Sequence, residues 1–462
     1  MLERFKSKYI GDRKFYKRYI LLAVPMILQS AITNFVSLLD NIMVGQLGTE
    51  QMTGVAIINQ LVFVFFLAVF GAVAGPGIYG AQFFGKRDHK GHMHTFRMRL
   101  WLILAITAIA ILVFIFFGNG LISLYLNDTG NPEELELTRN YALSYLSIIL
   151  ISLPPFAVTQ AYSTAIKETG QTFIPMVAGL FGVGVNALLD WLLIFGIGPF
   201  PALGVQGAAI ATVVARFIET SVVVIWAHTH LKVNRFLRGA YKSLLIPKDL
   251  FKKIMIKGSP LLVNEILWAA GITALNQTYS LRGIDVVAAI NIANTIGNLF
   301  NIVFIQLGAC ISIVVGQYLG AGELEKAKDA DNKMIFFSVF ACAVMSVLML
   351  LVGRFFPAAY NTSDEIRHLA VMFIVIQALA MPFCAYSHSA YFTLRSGGKT
   401  LVTFLFDSVF TWGVMVTTAT VLLRCTGIDI VWAYFIVSFT ELIKNAIGHA
   451  MVKSNVWLNQ IV

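Results

Sequence analysis

Charge is what this chain has least of. Only 13% of its 462 residues are Asp, Glu, Lys or Arg, about half the share usual in soluble domains. Cysteine is scarce too. Cys310, Cys342, Cys384 and Cys425 stand singly, with no CxxC pair, which excludes a disulfide framework and a sulfur-ligated metal site. They read as small apolar packing residues. There is no GxxxxGK[ST] phosphate loop, so ATP does not drive the chain directly, and neither GxSxG nor HExxH occurs. No cofactor and no metal are expected, and the chain does not read as an enzyme.

What is present is apolar. Hydrophobic residues make up 58% and the mean hydropathy is +0.76. This length would otherwise suggest about three soluble domains, but no such set buries this much apolar surface. The bilayer is therefore the solvent, which sets aside a cytosolic enzyme, a nucleic-acid binder and a disordered regulator. The 36 glycines suit close helix packing in lipid. The net charge is +10, from 34 Lys and Arg against 24 Asp and Glu, and the positions of those charges carry more than their sum.

A membrane helix needs about 20 mostly apolar residues. Twelve runs qualify: 17–39, 52–79, 97–118, 139–164, 172–196, 203–227, 254–279, 286–314, 332–353, 367–393, 400–423 and 430–451. The first is too long for a signal-peptide core and lacks a clear small-residue cleavage site, so it counts as a span. Lys and Arg set the orientation. They crowd the start (Arg4, Lys6, Lys8, Arg13, Lys14, Lys17, Arg18), the loop at 86–90 and the segment from Lys232 to Lys257. The loop after span 8 adds Lys326, Lys328 and Lys333; the opposite connections hold few. Both termini and the long central segment are expected in the cytoplasm, in a multi-pass protein of a cell membrane, the bacterial inner membrane.

The chain repeats itself. At an offset of 235 residues, Pro25 meets Pro260, Asn59 meets Asn294, Gln82 meets Gln317 and Gly85 meets Gly320. Further on the offset is 228: Pro154 meets Pro382 and Gly170 meets Gly398. The expected fold is an all-α membrane protein with twelve transmembrane helices in two pseudo-symmetric six-helix bundles. The amino-terminal lobe is 1–227, a cytoplasmic linker is 228–253, and the carboxy-terminal lobe is 254–462. Six spans per half make a parallel repeat, an architecture suited to alternating access. Pro25, Pro154, Pro260 and Pro382 fall within the first and fourth helices of the halves. Each is a kink that serves either curvature or a hinge.

An acid at bilayer depth is costly and marks a functional candidate. Glu219 has Arg216 three residues before it, and Glu441 has Lys444 three residues after it. Each spacing predicts an ion pair along one helix. Asp40 and Asp190 break the repeat, aligning with Leu275 and Thr418. Asn186 lies one turn before Asp190. These three offer oxygens without a fixed cationic partner, which is what hard cations and protons need. Glu265 and Asp407 align with Ser30 and Gly179; each is either a substrate or coupling contact or a buried, hydrogen-bonded acid. His89, His92 and His94 read as a solvated basic loop.

These features together resemble the multidrug and toxic compound extrusion (MATE) transporters over nearly the whole chain. The carrying phrases are AVPMILQSAITNFVSLLDNIMVGQLG at 23–48, GAQFFGKRD at 80–88, VGQYLGAGE at 315–323, KETGQT at 167–172, RSGGKT at 395–400 and GVNALLD at 184–190. The resemblance implies an antiporter that exports organic, often cationic amphiphiles, driven by proton or sodium entry. It implies a cation site at Asp40, Asn186 and Asp190, with a hydroxyl from span 6 for which Thr212 is the nearest residue. In some members a glutamate on span 7 is also essential, which brings in Glu265.

The expected partners are the lipid bilayer and small drug-like molecules, with no nucleic acid, and the chain is expected to work as a monomer. A lipid-linked precursor flippase of the same superfamily is the alternative. It is disfavoured because intramembrane bases are scarce. An intramembrane enzyme is further off, because the acids are not paired at motif spacing.

Overall fold

A computed structural model describes residues 8–126 and 131–462, without the side chain of Leu38. Arg4 and Lys6 of the basic start lie outside the described residues. The described residues hold helices and turns and no strand. Twelve helices are long and apolar enough to cross a membrane: α1 (Arg13–Gly45), α2 (Thr49–Gly85), α3 (His89–Ser123), α4 (Pro132–Glu168), α5 (Phe173–Phe195), α6 (Val205–Thr229), α7 (Lys248–Arg282), α8 (Ile284–Gly320), α9 (Leu324–Gly353), α10 (Asp364–Ser396), α11 (Thr400–Cys425) and α12 (Ile430–Lys453). Backbone polar groups cannot stay unpaired in hydrocarbon, so these apolar runs close their hydrogen bonds within each helix. Polar residues mark the ends. The side chains of Asn131, Ser363 and Asp429 each accept from a first-turn amide of the helix that follows.

The chain forms two compact units. One comprises Leu28–Gly80 and His89–Lys252; the other comprises residues up to Ile27, Ala81–Asp88 and Lys253–Val462. Packing therefore divides α1 between Ile27 and Leu28, just beyond Pro25. Pro25, Pro260 and Pro382 sit inside continuous helices. Pro154 differs. A 3-10 turn at Leu150–Ser152 interrupts α4, and Pro154 stands in the first turn of the α-helical stretch that resumes at Leu153. There its missing N–H is least costly.

In the first unit, Val55, Ile58, Val62, Phe65, Tyr145, Ile149, Phe156 and Ile194 form the main core. A second cluster joins Phe96 and Tyr162 to Phe236, Leu237 and Ala240, so the central basic segment is folded down rather than free. Arg97 fastens it by donating to the backbone oxygens of Ala240, Leu245 and Gly239 at 2.8, 3.0 and 2.9 Å. In the other unit, Tyr19, Leu22, Ala23 and Met26 of α1 join Leu307, Cys310, Ile311 and Met334 of α8 and α9. The Tyr19 hydroxyl donates to the Leu307 carbonyl at 3.1 Å. The last residues belong to this unit as well: Gln82 donates to the carbonyls of Ser396 and Asn459 and accepts from the Ile461 amide.

Candidate functional site

Three helices of the first unit bring the expected acids together. Asp40 comes from the later part of α1, Asn186 and Asp190 from successive turns of α5, and Thr212 from α6. Glycine sets the α5–α6 spacing. A Cβ on Gly182 would stand 3.2 Å from the Glu219 Cβ, and one on Gly207 would stand 2.6 Å from the Leu193 carbonyl oxygen. Such close approach is how small residues serve helix pairs in lipid.

Asp190 is 1% exposed, and Asp40 is half-buried. The two carboxylates lie within electrostatic reach of each other. Neither oxygen of Asp190 has a hydrogen-bond partner among the described residues, and the same holds for Asp40 Oδ1 and Asn186 Nδ2. A buried carboxylate left this way is strongly unfavourable unless a cation or proton neutralises it. Tyr145 on α4 is in electrostatic reach of both acids and in side-chain hydrogen-bonding reach of Thr212. Its hydroxyl also faces Asn59 Oδ1 of α2 at 3.4 Å. Tyr145 escaped the sequence reading and Asn59 entered it only as the repeat match of Asn294; an apolar-patterned tyrosine and an asparagine shared by both halves carry no site signal of their own.

A cavity of about 60 Å³ opens beside these residues, lined by Thr33, Ser37, Gly182, Asn186, Thr212 and Glu219, among others. That is room for several waters or an ion. Arg216 donates to Glu219 at 2.8 Å, so this i,i+3 pair forms as its spacing predicts.

The second pair does not. Lys444 meets Asp407 Oδ1 at 2.9 Å, so its hydrogen-bonding partner is on another helix rather than at Glu441. Glu441 stays within electrostatic reach. The other Asp407 oxygen accepts from Asn264 Nδ2 at 3.1 Å. Asp407 is thus hydrogen-bonded on both oxygens. Glu265 is half-buried and lies near Arg395 and Asp407. The structure gathers Asp40, Asn186, Asp190 and Thr212 in one unit, and Glu265 and Asp407 in the other.

The histidine reading also changes. His92 is 1% exposed, its ring lies 4.7 Å from that of Phe236, and its Nε2 is 3.2 Å from Glu168 Oε2. The other Glu168 oxygen pairs with the fully buried Arg99. The pairing of Glu168 with Arg99 was not legible in sequence, because each lies at the polar end of a long apolar run and the two are 69 residues apart.

Twelve helices long and apolar enough to cross a membrane define a polytopic membrane protein. The MatE family profile matches residues 25–192 and 260–416, once on each half of the repeat, and the chain belongs to the MATE family of transporters. It is 23% identical over 429 residues to the "Probable multidrug resistance protein YoeA" of Bacillus subtilis, covering 91% of this chain and 90% of that one. It is 22% identical over 422 residues to the "Probable multidrug resistance protein NorM" of Thermotoga maritima, covering 90% and 88%. Among solved structures, an outward-facing multidrug resistance MATE family transporter of the MOP superfamily has the same fold. The TM-score is 0.81 at 18% identity, over 96% of this chain and 97% of that one.

Proposed function

We propose that the protein is a secondary active exporter of organic, often cationic amphiphiles, a multidrug and toxin antiporter driven by proton or sodium entry. The observation that carries this reading is the Asp40–Asp190 pair, whose buried oxygens lack hydrogen-bond partners among the described residues. Cation or proton capture there removes an unfavourable charge. Asn186 and Thr212 supply neutral oxygens, which hard cations favour. Coupling requires the ion to bind two conformations differently. Neutralising the acids changes how α1 and α5 pack, and Pro25, beside the division of α1 between the two units, lets that helix bend. Pro154, Pro260 and Pro382 serve as the further hinges, Pro154 through its 3-10 turn. Substrate affinity in the amino-terminal half then falls as the ion binds, and the drug leaves outward.

In this reading the protein works as a monomer in a bacterial inner membrane with both ends in the cytoplasm, needs no cofactor and performs no catalysis. Glu265 and Asp407 are candidates for a lesser part in binding. The test is dye efflux from vesicles under a sodium gradient alone, then a proton gradient alone. One gradient is expected to drive wild-type efflux, and Asp40→Asn or Asp190→Asn to abolish it at matched expression. Full drug resistance in cells carrying Asp40→Asn overturns the assignment.

A further inference from the structure

The two halves use the same three elements for their intramembrane polar groups, and they finish them differently. In the first half these are α1, α5 and α6, with Asp40, Asp190, Asn186, Thr212 and the Arg216–Glu219 pair. In the second they are α7, α11 and α12, with Asn264, Glu265, Asp407, Glu441 and Lys444. In the first set, Arg216 serves Glu219, while Asp40 Oδ1 and both Asp190 oxygens have no donor among the described residues. In the second, Asp407 has a donor on each oxygen, and one of the two is an ammonium.

That ammonium is built in. Lys444 is 5% exposed, and its Nζ lies 2.9 Å from Asp407 Oδ1. It also stands over the rings of Phe406 and Phe410, 5.3 and 5.9 Å from their centroids, as a desolvated cation prefers. The acid is held just as firmly. Asn264 donates to its second oxygen, and the Ser408 hydroxyl fixes Asn264 by donating to its Oδ1 at 2.7 Å and its backbone oxygen at 3.0 Å. The backbone of α11 is π-helical over Leu405–Val409; such widened turns frequently mark functional positions. The other ionisable groups in reach of the pair are Glu441 on α12, His388, Cys384 and Tyr391 on α10, and Glu265 on α7, with Arg395 beside Glu265.

We propose that Lys444 is a tethered cation that takes the place of an external ion at Asp407, the acid on the fifth helix of the second half, so that ion coupling runs through the first half alone. The inference rests on the reading of Asp40 and Asp190 as the coupling acids. An ammonium at 2.9 Å supplies the charge that a proton or sodium ion would otherwise supply, and it cannot be released during the cycle. Lys444 therefore sets how many sites take an external ion. Removing it strands Asp407 and converts the position into one that must recruit a proton or a metal cation.

The experiment follows thermal unfolding of the purified full-length chain in two series, sodium varied at fixed pH and pH varied at fixed sodium. The wild type is expected to show ion-dependent stabilisation, and Asp40→Asn/Asp190→Asn to lose it. Adding Lys444→Met to that pair restores an ion dependence, which adding Asp407→Asn removes again; Lys444→Arg keeps the wild-type pattern. As a version that leaves no stranded charge, Asp407→Asn/Lys444→Met in the otherwise wild-type chain is expected to keep the wild-type ion dependence of thermal unfolding. A change in that dependence overturns the proposal. So does an Asp40→Asn/Asp190→Asn protein whose remaining ion response disappears with Asp407→Asn, or a folded Lys444→Met triple variant with no response. A response untouched by either set of acids instead refutes the first-half assignment, and this inference falls with it.

Discussion

A Cβ placed on Gly85 would lie 1.9 Å from the backbone oxygen of Gln317. The repeat returns the contact: a Cβ on Gly320 would lie 1.9 Å from the backbone oxygen of Gln82. Each half's Q-x-x-G phrase therefore closes on the other's. A backbone atom cannot swing aside as a flexible side chain can. Gly85→Ala and Gly320→Ala are each expected to lower stability by about 1–3 kcal/mol or more, read as a fall in melting temperature of the detergent-purified protein. Gly120→Ala, where a Cβ meets nothing within 4 Å, serves as the control and should leave it unchanged.

The neutral oxygens near Asp40 and Asp190 should be worth less than the acids. Losing one hydrogen-bonding group contributes about 1 kcal/mol, and 1.4 kcal/mol is about tenfold in affinity. Asn186→Ala and Thr212→Ala should each weaken apparent affinity for the driving ion by roughly fivefold, with efflux recovering at high ion concentration. Asp190→Asn should show no such recovery. Efflux measured against ion concentration separates the two, and a Thr212→Ala protein with wild-type ion affinity removes Thr212 from the site.

Arg216 and Glu219 pair at 2.8 Å beside the cavity. Removing one member of a buried pair strands the other charge, whereas removing both does not. Glu219→Gln alone should therefore harm efflux more than Arg216→Gln/Glu219→Gln. Equal damage from the single and double changes would show that the pair is not structural.

Glu168 holds two basic side chains, His92 and the fully buried Arg99. Glu168→Gln leaves that guanidinium uncompensated, at a cost of about 3–5 kcal/mol, and is expected to cut folded yield sharply. His92→Ala removes a weaker contact and should cost about 1 kcal/mol. Quantified folded protein in membranes, by fluorescence size-exclusion, checks the order; an equal yield for the two variants contradicts it.

The orientation has its own test. In a cysteine-free background, an impermeant thiol reagent added outside cells should label Asn131→Cys and miss Lys242→Cys. Both positions are exposed, so access alone does not decide the result. Labelling of Lys242→Cys and not Asn131→Cys inverts the topology.

The sequence by itself determined the twelve spans, the repeat, the positions of the proline-bearing helices and the identities of the acids worth weighing. These are properties of runs and spacings along one chain: about 20 apolar residues span the hydrocarbon whatever surrounds them, and a period or an offset needs no third dimension. The Arg216–Glu219 pair was legible for the same reason, since residues three apart share a helix face. Spacing also offered Lys444 to Glu441, and there it misled. Only the packing of α12 against α11 decided that the ammonium goes to Asp407. Likewise, only α4 and the folded central segment turned His92 from a loop histidine into a buried neighbour of Glu168 and Phe236. Asp190 and Asp407 show the limit plainly. Both are single acids in the fifth helix of their half; Asn186 one turn before Asp190 set them apart in sequence, but the chain alone does not show which acid finds donors. One is left without donors and the other is saturated with them, because distance between helices remote in sequence sets which charges are compensated, and in a low-dielectric interior that compensation decides what each acid can do.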